Sequence, residues 1–325
     1  MIIWREIQKQ NFKDWKKLSE FLQLDHQQLE EIVLRPDFPL NLPLRLAEKI
    51  AKNTLDDPIL RQFVPLKKEL EEALGYKLDP VQDASFRKSS KLLHKYEGRA
   101  LLVCTSVCAM HCRFCFRQNF NYDTSPEQTS FATELALLTE DPSITEIILS
   151  GGDPLSLSHL TLERLIKDLD AIPHLKKLRF HTRFPMGIPE RIDEAFLNLL
   201  THIRMQTIFI IHCNHPNELD EDVLAALKKI QKLGIPVLNQ CVLLSGVNDS
   251  LVTLHELFEK LTNHGILPYY LHQLDQVKGA SHFEVEENRG RALIDALTAK
   301  LPGYAIPKYV REVPGKMSKT SLVNG

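Results

Sequence analysis

From about residue 98 onward the chain alternates short apolar runs with longer stretches of helical periodicity. The runs are RALLVC (99–104), ITEIILSG (144–151), LKKLRFHTR (175–183), MQTIFIIHC (205–213), IPVLNQCVLL (235–244) and ILPYYLHQ (266–273). They are rich in β-branched and aromatic residues and have the length of strands. Residues 126–140, 158–170, 189–202, 218–233, 250–264 and 284–300 carry apolar side chains at helical spacing. Strand and helix repeating at intervals of about 30 residues predict βαβ units and a parallel sheet. Six units suffice for an α/β fold of the partial (β/α)6 barrel type, with chemistry expected at the C-terminal strand ends.

Residues 1–95 read differently. Prolines at 36, 39, 43, 58, 65 and 80 cut this stretch into short, charged, helical pieces. LKKELEEALGYKL (66–78) has helical periodicity, and prolines precede a helix start in DFPLNLPLRLAEKIAKN. The expectation is an N-terminal helical accessory region (1–95) without chemistry of its own. The barrel follows at 96–305 and a C-terminal segment at 306–325.

Composition narrows the class. The chain has 325 residues, 43% hydrophobic and 25% charged, which describes a globular protein rather than a disordered or fibrous one. Its net charge of -2 gives no electrostatic reason to bind nucleic acid or a membrane surface. No apolar run is long enough to span a bilayer, and the N-terminus lacks the order of a secretory signal. A cytoplasmic location is expected.

The reactive residues fall where the barrel rule wants them. Cys108–Cys115 follows the first predicted strand, and Ser150-Gly151-Gly152-Asp153 the second. His181-Thr182-Arg183 follows the third, His212-Cys213-Asn214 ends the fourth, Asn239-Gln240 lies in the fifth and Asp275 follows the sixth. Four of the six cysteines crowd into one stretch, Cys104, Cys108, Cys112 and Cys115. Structural zinc usually takes two separated pairs, so this crowding suits zinc poorly. Three thiolates at C-x3-C-x2-C, those of Cys108, Cys112 and Cys115, can hold three corners of an iron–sulfur cubane and leave one iron open. Cys104, at the strand end, reads as a small buried hydrophobe.

C-x3-C-x2-C after the first strand of such a barrel resembles the radical S-adenosylmethionine (SAM) superfamily. CAMHCRFCFR, LSGGDPL, RFHTRFP, HCNHP, NQCVLLSGVND and PGKMSK are together similar to the lysine 2,3-aminomutase family. That resemblance implies an isomerase that moves an amino group from Cα to Cβ of L-lysine, giving β-lysine. It implies a 4Fe–4S cluster and SAM, which make a 5′-deoxyadenosyl radical able to break an inert C–H bond. It also implies pyridoxal 5′-phosphate (PLP), whose π-system gives the migrating nitrogen a path. A flavodoxin or ferredoxin is the implied electron donor. Monomer and homo-oligomer both stay open.

Carried over residue by residue, the resemblance puts Ser150, Gly151, Gly152, Asp153, His212 and Asn239 at SAM. Lys319 becomes the PLP-carrying lysine, with Lys316 standing where the family has glycine, and Arg183 and His272 fall in the PLP phosphate region. Arg117 becomes the fork for the substrate carboxylate. Asp275 and Glu312 become the acids for the distal ammonium, Glu312 replacing a family aspartate. The chain ends shortly after Lys319, as in the short bacterial branch whose β-lysine is attached to elongation factor P. The alternatives are a catabolic enzyme acting on free lysine, a radical SAM enzyme without PLP, and a non-catalytic iron–sulfur or zinc protein.

Overall fold

A computed structural model describes residues 3–122 and 130–323. Nine strands form one sheet in chain order. They are β1 Leu92–Tyr96, β2 Arg99–Val103, β3 Glu146–Ser150, β4 Lys177–Thr182, β5 Gln206–His212, β6 Val237–Val242, β7 Leu267–His272, β8 Lys308–Arg311 and β9 Thr320–Ser321. Strands β2 to β8 run parallel, and β1 and β9 pair antiparallel at the two edges. The six expected strands are therefore β2 to β7. The structure adds a seventh parallel strand and two antiparallel edge strands, too short or too polar to stand out as apolar runs.

The helices fall between the strands as the periodicity predicts: Ala132–Glu140, His159–Asp170, Glu194–Thr201, Glu221–Lys232, Leu251–Asn263 and Glu287–Thr298. The expected stretch 126–129, ahead of the first of these, lies outside the described residues. Ser158, Asp193, Asp220 and Ser250 cap four of the helices through their side chains, each cap contributing about 1 kcal/mol. The sheet curls until its edges meet through side chains. The Tyr96 hydroxyl on β1 donates to Glu312, just beyond β8, at 2.5 Å.

The region 1–95 does not stand apart. Trp4, Leu22, Leu46 and Phe63 belong to the same buried cluster as Phe180, Phe209 and Leu257 of the barrel. Its helices are short, as the prolines require. The helix expected over 66–78 is instead a single 3-10 turn, Lys67–Leu70. Gly75 follows in the left-handed region at φ 91°. Leu70, Leu74 and Leu78 face solvent, so the stripe has nothing to pack on and a short helix gains nothing by forming.

Candidate active site

A cavity of about 370 Å³ opens at the C-terminal strand ends. That size suits a ligand of cofactor dimensions. Cys108, Cys112 and Cys115 line one side, and Asp275, Glu312 and Lys319 also line it. Strands supply residues two apart to the lining, Arg99 and Leu101, Ile148 and Ser150, Arg179 and His181, Gln240 and Val242, Tyr270 and His272, and Ala100, Cys241 and Tyr269 beside them reach it as well. The pairs follow the two-residue period of a strand with one face turned inward.

All three motif cysteines are half-buried, whereas Cys104 is 1% exposed, donates weakly to its neighbour's Leu102 carbonyl and lies off the cavity. Burial pushes the Cys108 thiol well up and the Cys115 thiol up to about 11, with the neighbouring motif thiols adding to the rise. Metal ligation needs the thiolate, so binding at these thiols would release protons. Among the described residues no three His, Cys, Asp or Glu side chains converge on a single ion. A cubane bonds each thiolate to a different iron, and the three cysteines on the cavity lining supply the soft donors such a cluster takes.

The glycine pair after β3 has a definite steric task. A Cβ on Gly152 would lie 2.4 Å from the Val107 carbonyl oxygen, and Gly151 sits at φ +116° with Thr105 O at 2.8 Å from any added Cβ. The amides of Gly152 and Asp153 donate to Thr105 O at 2.6 Å and Val107 O at 2.8 Å. The pair thus locks the cysteine loop against β3. Both glycines also line the cavity, where the resemblance expects SAM. The Asp153 carboxylate accepts from Thr182 Oγ1, and from the amides of Leu155, Arg183 and Phe184. Burial nevertheless raises its pKa to about 6. Its oxygens are committed to tying the ends of β3 and β4 together.

Two expected contacts are engaged in other bonds, Asn239 off the lining and Arg183 on it. Asn239 is 1% exposed and lies off the lining; its amide clasps the backbone of Cys213, accepting from N at 2.9 Å and donating to O at 3.0 Å. Its neighbour Gln240 lines the cavity and donates to the His212 ring at 2.7 Å. Arg183, expected at a phosphate, is bound up at the cluster loop. It donates to Cys112 Sγ at 2.8 Å, Gln62 Oε1 at 2.6 Å and Glu218 Oε2 at 2.8 Å.

The remaining expected residues share the cavity. Arg117 Nε donates to Asp83 Oδ2 at 2.8 Å and Nη1 to Ser150 Oγ at 3.2 Å, leaving Nη2 without a hydrogen bond among the described residues. Glu312 accepts from Lys319 Nζ at 2.7 Å. Burial alone would raise the Glu312 carboxyl, but Lys319, the Tyr96 hydroxyl and Lys95 overcome it and hold it below the ordinary value. Burial raises the Asp275 carboxyl to about 7; Lys319 opposes this and Glu312 adds to it. Burial, then neighbouring cations, keep His181 and His272 neutral and push His212 down to about 3.

Sequence reasoning missed Asp83, Lys95, Tyr96, Arg99 and Arg179 on the lining, whereas His181 lines it as its strand-end position led one to expect. Asp83 and Lys95 come from the region expected to be inert, and they pair at 2.7 Å. Arg179 is held by Glu146. Arg99 has no acidic partner among the described residues and packs its guanidinium over the Tyr96 ring at 4.6 Å. Period-two counting inward from Ser150 and His272 would have found Ile148 and Tyr270; nothing local marks Asp83.

No helix among the described residues is long and apolar enough to cross a membrane. Residues 102–258 match the radical SAM superfamily. The chain is 40% identical over 319 residues to an L-lysine 2,3-aminomutase of Haemophilus influenzae, covering 98% of this chain and 94% of that one. It is 40% identical to the Escherichia coli L-lysine 2,3-aminomutase, over 88% of this chain and 83% of that one, and 34% identical to that of Clostridium subterminale, over 84% and 66%. With the cysteine trio and the cavity it faces, these likenesses make the chain a member of the L-lysine 2,3-aminomutase family of radical SAM enzymes, whose chemistry uses a 4Fe–4S cluster and SAM.

Proposed function

We propose that this chain is a PLP-dependent isomerase that converts L-lysine to β-lysine, using Cys108, Cys112 and Cys115 as cluster ligands and Lys319 as the PLP-carrying lysine. The observation that carries the reading is one cavity lined at once by the three cysteines, Arg117, Asp275, Glu312 and Lys319. Bound there, the cluster and SAM supply a hydrogen-abstracting radical, and PLP supplies a π-system for the nitrogen.

The chain's own residues then divide the work. Arg117 presents its free Nη2 to the substrate carboxylate while Asp83 and Ser150 fix the plane of the fork. Asp275, with no hydrogen bond to its carboxylate among the described residues, takes the distal ammonium together with Glu312. Two carboxylates select a cationic side chain and reject an acidic one, each charge-assisted hydrogen bond being worth roughly 1.5–3 kcal/mol. Arg99, the cavity guanidinium without an acidic partner, is better placed than Arg183 to hold a phosphate. The neutral imidazoles of His181, His212 and His272 donate and accept without adding charge. Tyr269, Tyr270, Leu274 and Phe116 narrow the access of water to the reacting carbon.

Absorption tests the PLP assignment. The wild-type chain with PLP should show a visible band that borohydride bleaches, and Lys319→Ala should lose it. An unchanged band in the variant moves the role to another lysine. The finer context of this reading is supply of β-lysine for elongation factor P. Mass spectrometry of elongation factor P from a deletion strain should show the β-lysyl group missing; unaltered modification favours the catabolic reading.

A further inference from the structure

The cysteine loop is held from behind by residues that the proposed reaction does not use. Asn11 Nδ2 donates to Ala109 O at 2.7 Å, Asn41 Nδ2 donates to Cys108 O at 3.2 Å, and the amides of His111 and Arg113 donate to the carbonyls of Asn41 and Gln62, both at 2.9 Å. The most heavily bonded of these residues is Gln62, at the end of the helix Pro58–Phe63 and 0% exposed. Its Oε1 accepts from Arg183 at 2.6 Å and from Asn214 at 2.9 Å, and its Nε2 reaches Glu218 at 3.3 Å. Glu218, also 0% exposed, faces the same guanidinium at 2.8 Å. Phe63 and Phe114 flank that guanidinium at 4.8 and 5.5 Å. The atom left to it is Cys112 Sγ, at 2.8 Å from Nη1.

We infer that Gln62 and Glu218 are positioning residues for the cluster: they press the Arg183 guanidinium onto the Cys112 sulfur and so set the potential at which the cluster takes up its electron. The inference rests on the radical SAM reading of the three cysteines. Reduction places one electron from an external donor on the oxidised cluster, making it more negative by one charge. A hydrogen bond from a cation to a ligand sulfur favours that reduced state. Glu218, behind the same guanidinium, offsets part of its charge, and in a dry site such charges are poorly screened. The potential is thus a balance between Arg183 and its partners. One of those partners, Gln62, comes from the N-terminal region.

The test is a potentiometric titration of the full chain, reconstituted anaerobically with iron and sulfide, reduced with dithionite and read by electron paramagnetic resonance. Glu218→Gln leaves Arg183 uncompensated and should move the midpoint to a more positive potential at equal iron content. Gln62→Glu puts a second carboxylate on Arg183 and should move it to a more negative one. Opposite shifts are a signature that loosened packing does not produce. Midpoints equal to wild type, or both displaced the same way, overturn the inference. Where Glu218→Gln fails to take up iron, Gln62→Glu decides alone: a negative shift supports the inference, and a wild-type or positive midpoint overturns it. A wild-type chain that forms no cluster would instead sink the radical SAM reading.

Discussion

The two sides of the cavity are built differently. Around the cysteines nearly every polar atom is committed: Asp153 accepts from three amides and a hydroxyl, and the loop carbonyls of Thr105, Val107, Cys108 and Ala109 all accept hydrogen bonds. Around Lys319, by contrast, charges share few bonds. Asp275 has none to its carboxylate among the described residues and a carboxyl raised to about 7, and Arg99 has no acidic partner. The first side is a rigid seat for a cofactor held by soft ligands. The second is a set of charges awaiting a charged molecule. Pre-satisfied groups give precision, and unsatisfied ones give affinity and selectivity.

The largest effect that would break this contrast belongs to the seat. Cys112→Ala should abolish the cluster and all turnover, seen as lost iron and no 5′-deoxyadenosine. Full iron content in that variant would mean the trio is not the seat. Next comes the charged side. Asp275→Ala should weaken lysine binding by about 30-fold to a few thousand-fold, the equivalent of roughly 2–5 kcal/mol for one partner of a buried pair. An unchanged KM would remove Asp275 from the ammonium site.

The same carboxyl makes lysine binding depend on pH. A cation needs the ionised form, so KM for lysine should fall as pH rises through about 7, and Asp275→Asn should flatten that profile. The stability effect has the opposite sign. The folded chain retains this proton between the ordinary value of 3.8 and about 7, so the group weakens folding as pH rises through that window. Added lysine should restore more of the melting temperature above the window than below it.

A smaller effect is expected of Asn239→Ala. It leaves the Cys213 amide and carbonyl unpaired in the interior, at about 1–3 kcal/mol each. The melting temperature should drop while 5′-deoxyadenosine yield per folded molecule holds; a selective loss of SAM cleavage would return Asn239 to the SAM site. Smallest is Lys316→Ala, at an exposed position beside Lys319, which should change stability by less than about 0.5 kcal/mol.

The contrast also explains what the sequence could tell. The cysteine seat is local, eight residues from Cys108 to Cys115, so spacing alone exposes it. The parallel strands announce themselves because both faces are covered, which makes their apolar runs continuous. The charged side is assembled from Asp83, Lys95, Arg117, Asp275, Glu312 and Lys319, spread over 237 positions, and only the curling of the sheet joins them. The bonds of Asn239 to the Cys213 backbone were not legible, because they depend on the pairing of β5 with β6. The role of 1–95 was hidden because its contribution is made of isolated polar residues, Asn11, Asn41, Gln62 and Asp83, with no motif among them.

Anaerobic incubation of the reconstituted chain with L-lysine, SAM, PLP and dithionite is the decisive experiment for the aminomutase reading. It should yield 5′-deoxyadenosine together with a product of unchanged mass that separates from α-lysine and matches β-lysine. Formation of 5′-deoxyadenosine with lysine recovered intact would contradict that reading.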